Sequence, residues 1–425
     1  ELLQPLHTYP RFTALAEDVN LVHGPMLGCV GHDSARFWVR TWKPAEVQVQ
    51  VEPAIGGPRF QASTKADPAR DYTAVVEVRA LASDTLHVCT VVIDGELVDN
   101  NVSARFRTHP LPSKKARFRV AFGGGALYSP QNERMWDVIA NYQPAACFLL
   151  GDNVYIDLPE QAGPLHDYTY YRRQSRPEFR RLVASTPIYA IWDDHDCAID
   201  DCFMGPFADK PGWKRSMWEV FRNNWNNPGY GSPPEWPGCW FKTSIANVDF
   251  FFLDGRFYRT HPDAANPSML GPVQKKWLFD ALRSSRARFK VILSPVPFAE
   301  GAKESRDTWR GYPEERAEIF QFLSDNRIDG VVLVAADRHR SDAWRIERKN
   351  DYPLYEFQSS CLTHEKHNFA PLMPGALIGY NDKCSFGLLT FDTVRSDPTV
   401  TYEIVSIDDE TVGKLEVRLS EISKQ

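Results

Sequence analysis

A chain of 425 residues, 43% hydrophobic and 24% charged, has the balance of an ordinary globular protein and the length for about two or three structural units, which excludes a disordered or fibrous chain. The formal net charge of −6, with no Lys/Arg run longer than a pair, excludes a dedicated nucleic-acid binder and leaves nucleic acid only as a substrate. No apolar run approaches the roughly 18 to 20 residues of a membrane helix. No membrane span is expected.

From about His23 to Thr108 the chain alternates, as in Ala35-Arg36-Phe37-Trp38-Val39-Arg40 and Val47-Gln48-Val49-Gln50-Val51, with Gly, Pro, Asp and Asn between the runs. Short period-2 segments of this kind predict an all-β sandwich of immunoglobulin or fibronectin type. His109-Pro110-Leu111-Pro112-Ser113-Lys114-Lys115 then breaks every pattern and reads as a linker. Two domains are expected: 1–112, a leading segment plus the sandwich, and 113–425. In the second, apolar strand candidates at 118–122, 146–150, 188–192, 248–253, 291–293 and 331–334 are interleaved with helical stretches at 132–141, 168–184, 213–226, 272–283 and 313–324. That rhythm predicts an α/β domain with a largely parallel sheet covered by helices. Short strands at 388–391, 399–405 and 414–419 fit a second sheet or an edge meander.

Functional groups in open α/β sheets gather beyond the carboxyl ends of the strands. Here Phe122 is followed by Gly123-Gly124-Gly125, Leu150 by Gly151-Asp152-Asn153-Val154-Tyr155, and Trp192 by Asp193-Asp194-His195-Asp196. Leu253 is followed by Asp254-Gly255-Arg256, and Val334 by Ala335-Ala336-Asp337-Arg338-His339. Three carboxylates beside one imidazole repel each other unless cations or solvent offset them, and Asp337-x-His339 places two side chains on one side of an extended segment. A site for metal ions is expected. Two cations there would suit in-line hydrolysis of a phosphate ester, with a histidine as proton donor.

Several residues carry two readings. The glycine run is either a tight turn or a place where the backbone of Gly124 and Gly125 approaches phosphate oxygens. Arg256 either acts on phosphate with the catalytic set or is ion-paired to the acidic loop. The stretch Tyr168–Tyr171 with Arg172, Arg173, Arg176, Arg180 and Arg181 is either a substrate wall or an amphipathic helix with a solvated basic face. The eight cysteines form no CxxC pair; Cys197 and Cys202 could bond across their loop, but buried free thiols are the preferred reading.

These motifs resemble the alkaline phosphatase D (PhoD-like) family of the calcineurin-like metallophosphoesterases. The likeness is carried by Gly151-Asp152 with Tyr155, Trp192-Asp193-Asp194-His195-Asp196, Leu253-Asp254-Gly255-Arg256 with Tyr258-Arg259, Asp307-x-Trp309-x-Gly311-Tyr312 with Glu315-Arg316, and Asp337-Arg338-His339 with Ser341. The resemblance implies a four-layer αββα catalytic domain behind the sandwich, secretion or a periplasmic location, and hydrolysis of phosphate mono- or diesters. It makes Asp152 a bridging metal ligand, Tyr155 a phenolate ligand, Asp194, Asp200, Asp337 and His339 further ligands, and Asp307 an added carboxylate. It makes His195 the proton donor, with Asp196 holding its ring, and puts Arg338 among the substrate contacts.

Two or more metal ions are implied, calcium and/or iron, with zinc or manganese as alternatives, and a small phosphoester as the substrate. Gly125 stands where the family carries a cysteine ligand, Ala336 where it carries glycine, and Ser294-Pro295 where wider relatives carry a histidine, so an altered metal set is expected. Two other functions stay open: a phosphodiesterase or phospholipase with little monoesterase activity, and a surface-binding protein with a decayed catalytic domain. The chain opens at Glu1 without an initiator Met, which fits removal of a leader, and oligomeric state is not legible.

Overall fold

The computed structural model describes residues 20–98, 104–161, 163–302, 304–365, 368 and 373–424; the leading segment 1–19 assigned with the sandwich lies outside them. The first strands are β1 (Leu21–Gly28), β2 (Ser34–Thr41), β3 (Glu46–Pro53), β4 (Phe60–Lys65), β5 (Thr73–Arg79), β6 (Leu86–Ile93), β7 (Glu96–Leu97) and β8 (Ala104–Arg107). They build two antiparallel sheets, β1-β2-β5 and β4-β3-β6-β7 with β8 also on β6. Alternation sends Val47, Val49 and Val51 of β3 inward, where they share a core with Phe37 and Val39 of β2 and Phe106 of β8. This is the all-β sandwich.

The second region runs β9 (Arg117–Gly123), α1 (Met135–Asn141), β10 (Ala146–Leu150), α2 (Pro164–Gln174), α3 (Pro177–Ser185), β11 (Ile188–Ile191), α4 (Asp194–Cys197) and α5 (Lys214–Asn224). It continues with β12 (Gly231–Ser232), β13 (Trp236–Pro237), β14 (Phe241–Ile245), β15 (Val248–Phe252), α6 (Gly271–Ser284), β16 (Phe289–Leu293), α7 (Pro313–Asp325) and β17 (Val331–Ala335). β18 (Ser341–Ile346), β19 (Leu354–Gln358), β20 (Ala376–Tyr380), β21 (Ser385–Asp392), β22 (Thr399–Ser406) and β23 (Thr411–Arg418) complete it.

Two mixed sheets result. One has six strands in the order β11-β10-β9-β21-β22-β23, the other seven in the order β14-β15-β16-β17-β19-β18-β20. They stack face to face through aromatic side chains: Phe148 of β10 lies 5.0 Å, centroid to centroid, from both Phe250 and Phe252 of β15. Phe391 of β21 meets Phe250 and Phe289 in the same layer. Helices cover the outer faces, with Trp136 of α1 edge-on to Phe179 of α3, and Phe279 of α6 stacked on Phe322 of α7. The four-layer αββα arrangement follows.

The structure departs from the sequence reading in two places. The helix expected over 168–184 is two helices, because Pro177 opens α3 and holds Arg176 in an extended conformation (φ −71°, ψ 130°). Of the two readings for the strands after residue 385, the edge meander is the one found: they join the first sheet through β21 pairing antiparallel with β9. The basic face of 168–184 is not uniformly solvated, since Arg173 is buried in an ion pair with Glu133.

The sandwich docks on the second region through buried polar groups. His23 takes part in hydrogen bonds with Arg40 and Ser175, and Arg40 also reaches Asn224 of α5. Burial, reinforced by the charges of Arg40 and Arg180, lowers the His23 pKa to about 3, so the imidazole is neutral in the folded protein. A base with a lowered folded pKa stabilises the fold fully above its unfolded pKa, near 6.5, and loses that contribution as pH falls toward 3. Between pH 7 and pH 5 this term should cost about 2 kcal/mol. Urea unfolding of the wild type and of His23→Asn at both pH values checks it: the variant should lose less stability on acidification, and equal losses would remove His23 as the cause.

Candidate metal and catalytic centre

The site begins where β10 ends. Gly151 has φ +101°, and a Cβ there would stand 2.5 Å from that of Asp193, so only glycine lets the segment after β10 pass so close to the one after β11. Asp152 follows, buried, with Oδ2 accepting from the Tyr155 hydroxyl at 2.9 Å and Oδ1 without a hydrogen-bond partner among the described residues. Beyond β11, α4 carries Asp194 and His195. Asp194 accepts from the Asp201 backbone N–H at 2.7 Å through Oδ2, and its Oδ1 is likewise buried without a hydrogen-bond partner. Ligand atoms of Asp152, Asp194 and His195 all lie within 4.8 Å of one another, as do those of Asp194, Asp200 and Asp201.

These groups meet at a cleft of about 260 Å³, lined also by Asp337, Arg338 and His339 from the end of β17. A larger groove of about 970 Å³ runs along the junction of the sandwich and the first sheet but holds none of the expected site residues. The small cleft gathers most of the expected metal ligands.

Electrostatics define the cleft. Burial raises the Asp152 pKa well above the ordinary carboxylate range, and the charges of Asp194, Asp193, Asp196 and Asp337 raise it further. Burial also opposes charge on Asp194, but Arg256, His195 and the Asp201 backbone N–H together outweigh it and leave that carboxyl below its usual value. Burial followed by the Asp152 charge raises Tyr155 and keeps its phenol protonated. Crowded carboxylates with unmatched inward oxygens are what a bound cation would satisfy. The residues present therefore fit divalent or trivalent ions, with hard oxygens from Asp152, Asp194, Asp200 and Asp337 and nitrogen from His339.

Several expected roles are not those the structure displays. Asp196 does not hold the His195 ring; it accepts from the backbone N–H groups of Asp193 and Asn153, each at 3.0 Å, and ties the post-β10 loop to α4. The carboxylate on His195 Nδ1 is Asp157, at 2.6 Å. Arg256 is fully buried, ion-paired to Asp193 and bonded through both terminal nitrogens to Asp307, at 2.7 and 2.9 Å. It does not line the cleft. Asp307 also pairs with Arg259 and does not line the cleft, so its ion pairs are those of a counter-ion.

The backbone N–H groups of Gly124 and Gly125 are spent on Ser359 and Gly151 carbonyls and do not face phosphate. A Cβ at Gly124 would fall 2.7 Å from that of Ala336, and one at Gly125 would fall 2.7 Å from Ser360 Oγ. The glycines serve close packing of strand ends. Asp200 is placed as expected, with Oδ1 3.6 Å from His195 Nε2, although its side chain is 85% exposed. Arg338 lines the cleft, 3.3 Å from Asp337.

Sequence reasoning also missed residues. His364 lies on the loop after β19, which is stitched to the glycine run by Leu362 N–H to the Gly124 carbonyl (3.0 Å) and His364 N–H to the Gly125 carbonyl (3.2 Å). Its ring comes 4.6 Å from that of His339 and 5.3 Å from that of Tyr155. Nothing local in the sequence marks it. Asp201 and Asp157 carried a weak signal, as carboxylates on loops already singled out.

Two stacked mixed sheets between helices, with acidic and imidazole groups at the strand ends, define a metallophosphoesterase fold. The chain superposes on a structure of PhoD with a TM-score of 0.76 at 18% identity, covering 92% of this chain and 88% of that one. It matches purple acid phosphatase PPD1 from yellow lupin (Lupinus luteus) seeds at 0.69 and 12%, covering 93% and 74%. In sequence, residues 238–377 match the PhoD-like phosphatase family, and 18–111 match a domain of unknown function, DUF7800. Alkaline phosphatase D of Bacillus subtilis (strain 168) is 34% identical over an alignment of 238 residues that covers 48% of this chain and 40% of that protein. The resemblance to the PhoD-like family therefore holds in sequence and in fold.

Proposed function

We propose that this chain is a metal-dependent hydrolase of phosphate esters acting at the cleft between the ends of β10, β11 and β17. The observation that carries the reading is the convergence of Asp152, Asp194 and His195 within 4.8 Å, with a buried oxygen on each of Asp152 and Asp194 that has no hydrogen-bond partner among the described residues. Asp152, Asp194, Asp200, Asp337 and His339 would hold the cations, calcium or iron in the first instance and zinc or manganese otherwise, and Tyr155 would join them on losing its proton. Bound there, the ions would supply Lewis-acid polarisation of the phosphoryl group and make water acidic enough to attack it.

The chain's own residues do the rest. Asp157 at Nδ1 orients the His195 ring, leaving Nε2 on the cleft side as the proton donor to the leaving oxygen. Arg338 offers guanidinium N–H groups to the substrate's anionic oxygens from the cleft wall. Secretion or a periplasmic location belongs to the same proposal.

The intact carboxylates argue against a decayed site. Turnover of nitrophenyl phosphate and of bis(nitrophenyl) phosphate by the metal-loaded chain tests the reading: hydrolysis of at least one is expected, and inertness toward both would sink it. A rate on the diester at least about tenfold above the monoester, near 1.4 kcal/mol in barrier, would assign a diesterase.

A further inference from the structure

Cys197 closes α4 and Cys202 follows the exposed turn that carries Asp200 and Asp201. Their sulfurs are 3.8 Å apart, and both residues are buried. The turn is already folded toward a closed ring: Ala198 N–H donates to the Asp194 carbonyl at 2.7 Å, and Cys202 N–H to the Ile199 carbonyl at 3.1 Å. Asp201 N–H meets Asp194 Oδ2 at 2.7 Å, and the Cys202 carbonyl accepts from Arg256. A disulfide needs sulfurs about 2.05 Å apart, which modest side-chain rotation from this contact can reach. Ile199, in the turn between the two cysteines, is 54% exposed.

We propose that Cys197 and Cys202 are a redox-responsive pair whose disulfide fixes the turn bearing Asp200 and Asp201 beside Asp194. The oxidant is a small-molecule disulfide of the glutathione class. One cysteine thiolate attacks it and expels one equivalent of thiol as a mixed disulfide forms; the second thiolate then displaces the other equivalent. Two cysteine thiols and one disulfide become one internal disulfide and two thiols, so atoms and electrons balance. Because Asp194, Asp200 and Asp201 present oxygens within 4.8 Å of one another, fixing the turn pre-organises a cation site. The functional consequence rests on the cation-binding reading of the same cleft.

The test uses the full chain, made metal-free with a chelator and equilibrated with either oxidised glutathione or excess reductant. Peptide mapping should find a 197–202 link only after oxidation, and calorimetric titration with Mn2+ should show about fivefold tighter binding in the oxidised chain. Cys202→Ala and Cys197→Ala should bind like the reduced wild type whatever the redox condition. Failure of the link to form would overturn the pair. A mapped link with unchanged Mn2+ affinity would overturn its coupling to the site. No Mn2+ binding in either state would overturn the coupling together with the cation reading, whereas a missing link with normal Mn2+ binding would leave that reading standing.

Discussion

Asp152→Asn is expected to lower phosphoesterase turnover by roughly 10³-fold, the scale of removing a principal group that holds charge at a reaction centre. Metal analysis of the same preparation should show loss of bound ion. The metal-free variant should also be no less stable than the wild type, and this separates an electrostatic role from a folding defect. Asparagine keeps the shape of the side chain and an oxygen for the Tyr155 hydroxyl, but it removes a buried charge that Asp194, Asp193, Asp196 and Asp337 all oppose.

Sign and window follow from the raised pKa of Asp152. A carboxyl that is easier to protonate in the folded state stabilises the fold below its unfolded pKa, near 3.9, and loses that contribution as pH rises through the higher folded value. In chelator, the stability advantage of Asp152→Asn should therefore grow from pH 5 to pH 8. Thermal unfolding at the two pH values, beside metal content and nitrophenyl phosphate turnover, checks all three parts. Full metal content with intact turnover would remove Asp152 from the centre.

How much of this was legible depended on what each residue's signal was made of. Strand ends were readable because an apolar run stops at a definite residue, and Asp152, Asp194, His195, Asp337 and His339 each follow such a stop within a few positions. The direction a side chain takes after the stop was not readable. Asp196 and His195 are adjacent in sequence, yet α4 turns Asp196 back onto Asn153 while His195 meets Asp157.

Two other features depend on the meeting of distant segments. His364 comes beside His339 and Tyr155 because Gly124 and Gly125 admit the loop after β19, a contact between residues more than 200 apart. The split of the first sheet's strands is similar. The meander β21-β22-β23 joins through β21, which pairs with β9 across more than half the chain, and alternation alone does not name the partner.

Arg256→Met is expected to destabilise the protein by about 3–5 kcal/mol, the cost of breaking a buried ion pair from one side. Arg256 is fully buried and answers Asp193, Asp194 and Asp307 at once, while Asp307 otherwise relies on Arg259. Methionine fills much of the volume and leaves those carboxylates without their main counter-charge. The deficit should depend on pH in a definite direction. In the wild type burial acts most strongly on Asp194, yet Arg256, His195 and the Asp201 N–H together hold it below its ordinary pKa, so that group stabilises the fold above its unfolded pKa and loses its contribution only as pH falls through the lowered folded value.

Without the guanidinium, burial and the neighbouring carboxylates raise Asp193 further and push Asp194 upward, so the variant loses stability as pH rises. Urea unfolding in chelator at pH 5 and pH 8 should show the gap between variant and wild type widening at the higher pH. Divalent cation should narrow it, because an ion at Asp194 replaces part of the missing charge. An arginine that instead contacts phosphate would give another pattern: unchanged unfolding at both pH values and a raised KM for nitrophenyl phosphate. That outcome would return Arg256 to the substrate and overturn its assignment as the counter-ion beneath the acidic loop.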